Sequence, residues 1–252
     1  MSSTQAMLDA VFPAGVPSRI ARLIRPEVAD PLIEDFKVGP ILAFGATDRP
    51  PRVAVSDQGE PEAWATAVQS QWPCAQTRDL LALSIPGMRR MIDTDGSDGA
   101  EIYLDDLQEH RAIAAVEALR PPEFAGDLMC LIATVPVGAR SVITRHQSAP
   151  FHYLRGTLAE QVATLVDHGA AGIWGVRWCR GSVASVVWVS EARWSGTTDL
   201  ARAIALHFGA PDSWHRCMSA LRRHGLEGYP DAIEMFPDGT LDVTVGVLRQ
   251  PA

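Results

Sequence analysis

Two carboxylates near the C-terminus carry the first chemical suggestion. Glu234 and Asp242 stand on either side of the turn Pro237-Asp238-Gly239, on strand-like segments at 232–236 and 240–247. In the second segment Leu241, Val243, Val245 and Val247 alternate with Thr240, Asp242, Thr244 and Gly246. A period of two with one apolar face marks a half-buried antiparallel strand. The same parity puts Glu234 on the polar-tending face of the partner segment, and two carboxyls facing one space can divide general acid and base work. Other strand-like segments place Arg52, Glu101, Tyr103, Arg140, Thr144, Arg177 and Ser185 among apolar neighbours. Taken singly, each reads as an ordinary exposed or strand-end residue. Together they would line a polar interior in which guanidinium groups clamp a phosphate or carboxylate through paired hydrogen bonds. A one-residue slip in register would turn any of them to the other side.

A cluster of Trp174, Trp178 and Trp188, followed by Trp194, has two readings: packing beneath covering helices, or an aromatic wall for an apolar or cationic ligand. Trp174 and Trp178 share one face of their strand, which leaves Arg177 on the other. No metal site is expected. Cys74, Cys130, Cys179 and Cys217 are too far apart for a zinc knuckle and read as reduced thiols, and the seven histidines form no HExxH, HxH or HxxxH pair. Counting a calcium loop from Asp93 puts Asp98 where glycine is required and Leu104 where a carboxylate is required, so an Asp/Gly-rich hairpin turn explains 93–99 better. There is no GxSxG elbow, GxGxxG fingerprint or Walker loop, and no cofactor is expected. Lys37 is the only lysine among 22 basic residues, as a GC-rich genome would produce. Anions must then be held by arginine, and a Schiff-base lysine is improbable.

The elements that would position these groups recur along the chain. Strand pairs surround turns near residues 49, 97, 138, 181 and 238, the clearest being the last and the pair 173–178 with 183–189. Between them lie helical patterns at 61–68, through Ile113, Val116 and Leu119, at 200–208 and at 213–223. A further helix carries Leu158, Val162, Leu165 and Val166, with Thr157 as N-cap and Gly169 as stop. The expected fold is α+β: about five antiparallel hairpins alternating with helices, as a roughly ten-stranded barrel with the helices outside. Two open sheets, each covered by helices, are the alternative. Residues 1–38 are expected to form an N-terminal helical segment packed on a single hairpin–helix domain at 39–252. In a ten-stranded barrel the interior is too wide for side chains to fill and becomes a cavity.

The 252 residues are 47% hydrophobic and 21% charged, with a formal charge of −8, the balance of an ordinary globular chain. The acidic balance argues against broad capture of nucleic acid or adsorption to anionic lipid. With no apolar run near the ~20 residues of a membrane span and no export signal at the N-terminus, a cytoplasmic protein acting on a small molecule is expected.

The order of elements from about residue 40 to 248 resembles the prenyltransferase barrel, the αββα-repeat fold of aromatic prenyltransferases. The resemblance implies a transferase of bacterial secondary metabolism that moves a prenyl group from an isoprenoid diphosphate to an aromatic or other electron-rich acceptor. It implies Arg52, Arg140 and Arg177 for the diphosphate, Tyr103 with Trp174 or Trp178 for shielding an allyl cation, and Glu234 or Asp242 for the acceptor. The single lysine and three tyrosines are sparse equipment for that family. Two other readings stay open: a non-catalytic ligand-binding or protein-interaction module, and a cofactor-independent isomerase or lyase using Glu/Asp acid–base chemistry.

Overall fold

The computed structural model describes residues 8–9, 12–23, 41–45, 52–57, 61–84, 86, 88–105, 119–121, 123–124, 127–190, 218–219, 221–223 and 225–249. Ten strands, β1 (Ile41–Gly45), β2 (Arg52–Asp57), β3 (Arg90–Thr94), β4 (Ala100–Asp105), β5 (Asp127–Val135), β6 (Ala139–His146), β7 (Gly172–Cys179), β8 (Ser182–Ser190), β9 (Leu226–Met235) and β10 (Leu241–Arg249), form one sheet. Each pairs antiparallel with its neighbours in the chain, and β1 pairs with β10, so the barrel is closed. Closure removes every sheet edge, which settles the choice against two open sheets. The five hairpin turns gather at one end of the barrel. The longer connections enter at the other, among them α2 (Pro61–Gln71), α3 (Ala75–Leu81) and α4 (Gly156–Asp167), with α1 (Ser18–Leu23) ahead of the first strand.

Strand parity separates two environments. Facing outward, Val53, Ile92, Ile102, Leu104, Leu131, Val142, Val176, Val186 and Ile233 are fully buried. They form one apolar cluster with Trp64 and Val68 of α2 and Leu158, Val162 and Leu165 of α4. Full burial of each such side chain stabilises the fold by about 1.5–3 kcal/mol. Three of the four anticipated positions of α4 are therefore packed, while Val166 is 41% exposed and Gln161 is buried in its stead. The helix begins at Gly156, with Arg155 rather than Thr157 at the N-cap position, and Gly156 takes a left-handed φ of 55°. Gly169 closes it as expected, at φ 75°.

The turn joining β7 and β8 places both Arg180 (φ 51°) and Gly181 (φ 77°) in the left-handed region, the geometry that matches a two-residue loop to twisted strands. Three bulges then break the simple alternation. One in β5 turns Leu128 to the outer layer and lets Met129 line the interior. Another in β8 sends Val183 outward, opposite Trp178, while Ser185 faces in, opposite Arg177. β9 starts at Leu226, earlier than its sequence pattern indicates, and bulges where Thr244 pairs with Ala232 but Val245 pairs with Pro230. Helix α3 was not anticipated. Its sequence, AQTRDLL, is too polar to show periodicity.

In the N-terminal region, Ile20 and Leu23 of α1 join the outer core, and Arg19 reaches Asp98 in the β3–β4 turn at 2.7 Å. The expected helices at 200–208 and through Ile113 and Val116, most of that at 213–223, and Trp194 lie outside the described residues. No helix among the described residues is long and apolar enough to cross a membrane.

Candidate functional site

The inward faces of six strands bring together two arginines and four carboxyls. Arg52 on β2 lies 2.8 Å from Asp242 Oδ2 on β10 and 3.4 Å from Asp93 Oδ2 on β3. Arg177 on β7 lies 2.6 Å from Glu101 Oε1 on β4 and 3.2 Å from Glu234 Oε1 on β9. Asp93 and Glu101 are direct cross-strand neighbours, as are Glu234 and Asp242. Two carboxyl pairs thus alternate with two guanidiniums in a ring around the lumen. Further hydrogen bonds hold it: Tyr103 donates to Glu101 Oε2 at 2.7 Å, Arg177 Nε donates to Ser141 Oγ at 2.9 Å, and Ser185 donates to Glu234. The ring lies near the hairpin-turn end, because each of its members is within a few residues of a turn.

Burial and charge pull the groups of the ring apart in acidity. Burial opposes ionisation of Glu101, but Arg177 outweighs it and holds this carboxyl below its ordinary range. Burial pushes Asp93 up to about 7, with Arg52 only partly offsetting it and Glu101, Asp242 and Glu234 adding repulsion. Glu234 is also raised by burial against the pull of Arg177. Desolvation of both guanidiniums is outweighed by their carboxylates, which keep Arg52 and Arg177 firmly charged. Burial raises the Tyr103 phenol well above its usual range, and neighbouring carboxylates raise it further. Carboxyls with such divergent acidities in one site are the usual arrangement for proton transfer.

From the ring a cavity of about 240 Å³ extends toward the opposite end of the barrel. Its wall is apolar in the middle, where Cys130 and Ile143 join Ile132, Tyr103, Met129 and Val187 in a cluster separate from the outer core. Farther along stand Arg89 and Asp105, 3.3 Å apart, with 37% of the Arg89 side chain exposed. The cavity is slightly below the ~300–1,000 Å³ of typical ligand sites, so it suits a compact molecule.

Of the residues singled out from the sequence, Arg52, Tyr103, Arg177, Glu234 and Asp242 converge on this lumen, with Glu101 and Ser185 beside them. Arg140, Trp174 and Trp178 do not. Arg140 has the parity of Val142 and Thr144, pairs with Ala133, and so stands on the outward face. Trp174 and Trp178 are buried in the outer cluster. Trp178 Nε1 donates to Thr144 Oγ1 at 2.9 Å, and its ring meets Phe124 at a tilt and Tyr153 edge-on. Thr144, also considered for the lumen, is thereby committed to the outer layer. These tryptophans pack under the covering layer because their parity opposes that of Arg177. Sequence reasoning passed over Asp93, Arg89 and Ser141. The signal for Asp93 was masked by Arg90, an outward-facing polar residue that spoils the alternation of β3. Arg90 is fully buried, bonded to Ser84 at 2.9 Å and 5.8 Å from the Trp64 ring. Among the described residues no group of three metal-ligating side chains could hold an ion.

No protein-family model matches the chain, and no curated protein matches it in sequence. Among solved structures, it is similar to the crystal structure of 5-dimethylallyltryptophan synthase from Streptomyces coelicolor, with a TM-score of 0.65 over 98% of this chain and 97% of that one. The two are 14% identical, so the likeness is one of fold: a prenyltransferase barrel.

Proposed function

We propose that the lumen is the active site of a small-molecule transferase, which moves a short prenyl group from an allylic diphosphate to an electron-rich acceptor. The observation that carries this reading is the pairing of buried carboxyls of raised pKa, Asp93 and Glu234, with a compact, largely apolar cavity inside a prenyltransferase barrel. In the reaction the allylic carbon–oxygen bond breaks and its electron pair leaves on the diphosphate. A ring carbon of the acceptor bonds to the allylic carbon, and the proton displaced from that ring carbon passes to a carboxylate, returning aromaticity. Glu234 or Asp93 would take that proton, with Asp242 held in position by Arg52. Tyr103 presents its ring to the cavity as the available shield for the allyl cation. Arg52 and Arg89 are guanidiniums that the diphosphate would meet along the wall. The size of the cavity favours a five-carbon donor over longer ones.

The test is incubation with dimethylallyl diphosphate and a panel of aromatic acceptors, followed by mass spectrometry for a product heavier by one dimethylallyl group. Transfer that falls by at least a hundredfold in Glu234→Gln or Asp93→Asn supports the proposal. A folded protein that neither binds nor consumes any allylic diphosphate overturns it.

A second reading has its own observation. Arg52 and Arg177 are each engaged by two carboxyls, an arrangement that suits acid–base isomerisation or elimination on an uncharged substrate better than capture of a diphosphate. That reading predicts no thermal stabilisation by diphosphates and loss of activity in Glu234→Gln.

A further inference from the structure

We infer that the inner end of the cavity is a receptor for a protonated nitrogen, so that the molecule bound there carries an amine or a similar cationic head on a compact apolar body. The inference rests on the lumen being the ligand site, and does not require that prenyl transfer be the reaction.

Two independent observations carry it. The first is the balance of charge. Arg52, Arg89 and Arg177 face Asp93, Glu101, Asp105, Glu234 and Asp242 in and beneath the cavity wall, so carboxyls outnumber guanidiniums among the described residues. With every group ionised the site is negative, and even with two carboxyls protonated it is only neutral. An anion placed against the ring would meet no surplus of positive charge, whereas a cation would meet a surplus of carboxyls. The second observation is an unfilled acceptor. The Asp93 side chain is only 9% exposed and lines the cavity. Its Oδ2 faces Arg52, while its buried Oδ1 has no hydrogen-bond partner. Leaving a buried acceptor unpaired costs about 1–3 kcal/mol. A ligand N–H donor would recover that loss once a small rotation of the Asp93 carboxyl turned Oδ1 from beneath the cavity wall toward it, and a charged donor would recover more.

The groups that face Asp93 are Arg52 from β2, Glu101 and Tyr103 from β4, Glu234 from β9 and Asp242 from β10. Burial above all, with these carboxyls adding repulsion and Arg52 partly offsetting it, holds the Asp93 proton to about pH 7. A cation arriving at Oδ1 favours the ionised form, so binding releases a proton from Asp93. Affinity should then rise with pH until Asp93 is ionised in the free protein.

The experiment is isothermal titration calorimetry of the full chain with three matched probes: 2-phenylethylamine, 2-phenylethanol and phenylacetate. Each is titrated at pH 6 and pH 8, in two buffers of different ionisation heat. The amine is expected to bind most tightly and phenylacetate least. Amine affinity should rise about tenfold from pH 6 to pH 8, the change in the ionised fraction of a group with a pKa near 7. About one proton should be released per amine bound at pH 6. Asp93→Asn, which preserves shape, should remove the pH dependence. If that variant does not fold, the three-probe comparison in the wild-type protein still decides. Phenylacetate binding as tightly as the amine, a flat pH profile in the wild-type protein, or no binding by any probe overturns the inference. Turnover of dimethylallyl diphosphate onto a nitrogen-free acceptor, without amine binding, would leave the transfer reading standing and sink this one. Amine binding without turnover of any diphosphate would do the reverse.

Discussion

Arg90 and Arg177 are both largely buried arginines in the same barrel, but they lie on opposite faces of the sheet. Arg90 points outward into the helix layer, where a serine hydroxyl and the ring of Trp64 accompany it among aliphatic side chains. Arg177 points inward and is held between Glu101 and Glu234, with Ser141 on its third nitrogen. The outer layer achieves stability by excluding water from aliphatic and aromatic surface. The lumen concentrates charge at a desolvation cost that packing alone would have avoided. Such an expense is characteristic of a site kept for chemistry or recognition, since replacing buried ion pairs by apolar groups is often neutral or stabilising.

The contrast can be broken most forcefully at Arg177. Replacing it alone, as Arg177→Met, strands Glu101 and Glu234 together and should cost about 3–5 kcal/mol in urea unfolding. The triple change Arg177→Met, Glu101→Gln and Glu234→Gln should recover most of that loss while abolishing activity. A triple variant as unstable as the single one would mean that the ring is structural. Next in size is Leu165→Ala, in the outer layer on α4. It should cost about 3 kcal/mol in the same measurement yet leave the affinity for lumen ligands unchanged.

A smaller and more pointed effect concerns pH. The folded state raises the pKa of Asp93 from 3.8 to about 7, so between these values the native protein binds a proton that the unfolded chain has lost. The stability contributed by this group is full below pH 3.8 and is lost as pH rises through 7. Between pH 5 and pH 8 it should remove about 2 kcal/mol. Unfolding free energies from urea titration at the two pH values should therefore differ less, by about that amount, in Asp93→Asn than in the wild-type protein. An equal pH dependence in both would show that Asp93 titrates normally. The smallest effect is Thr144→Val, which deprives the Trp178 indole of its acceptor on the outer face. It should lower stability by about 1 kcal/mol and leave the lumen untouched.

The sequence made the hairpins legible because each carries a local turn signal, strongest in the Asp-Gly turns at 95–96 and 238–239 and the Arg-Gly turn at 180–181. It made the inward orientation of Arg52, Tyr103, Arg177, Glu234 and Asp242 legible as well, since their apolar neighbours have the opposite parity. It misled at Arg140, which is polar but outward, and at Trp174 and Trp178, whose aromatic character suggested a ligand wall while their parity already opposed that of Arg177. Asp93 was obscured by the buried Arg90 three positions before it. No local pattern marks a polar residue that tertiary packing accommodates on an apolar face.

What the sequence determined by itself was the supply of parts: ten strand-forming stretches, turns with the required φ, and polar residues in register within each hairpin. These are effects of neighbouring residues on local backbone preference and burial. Which charges meet was decided only by closure. Arg52 and Asp242 are 190 residues apart, and Arg177 is 76 residues from Glu101. Their contacts exist because β1 pairs with β10 and because three bulges adjust the register between strands. The raised carboxyls of Asp93 and Glu234 follow from that assembly, since burial and opposing charge act through space and leave no trace in the order of the chain.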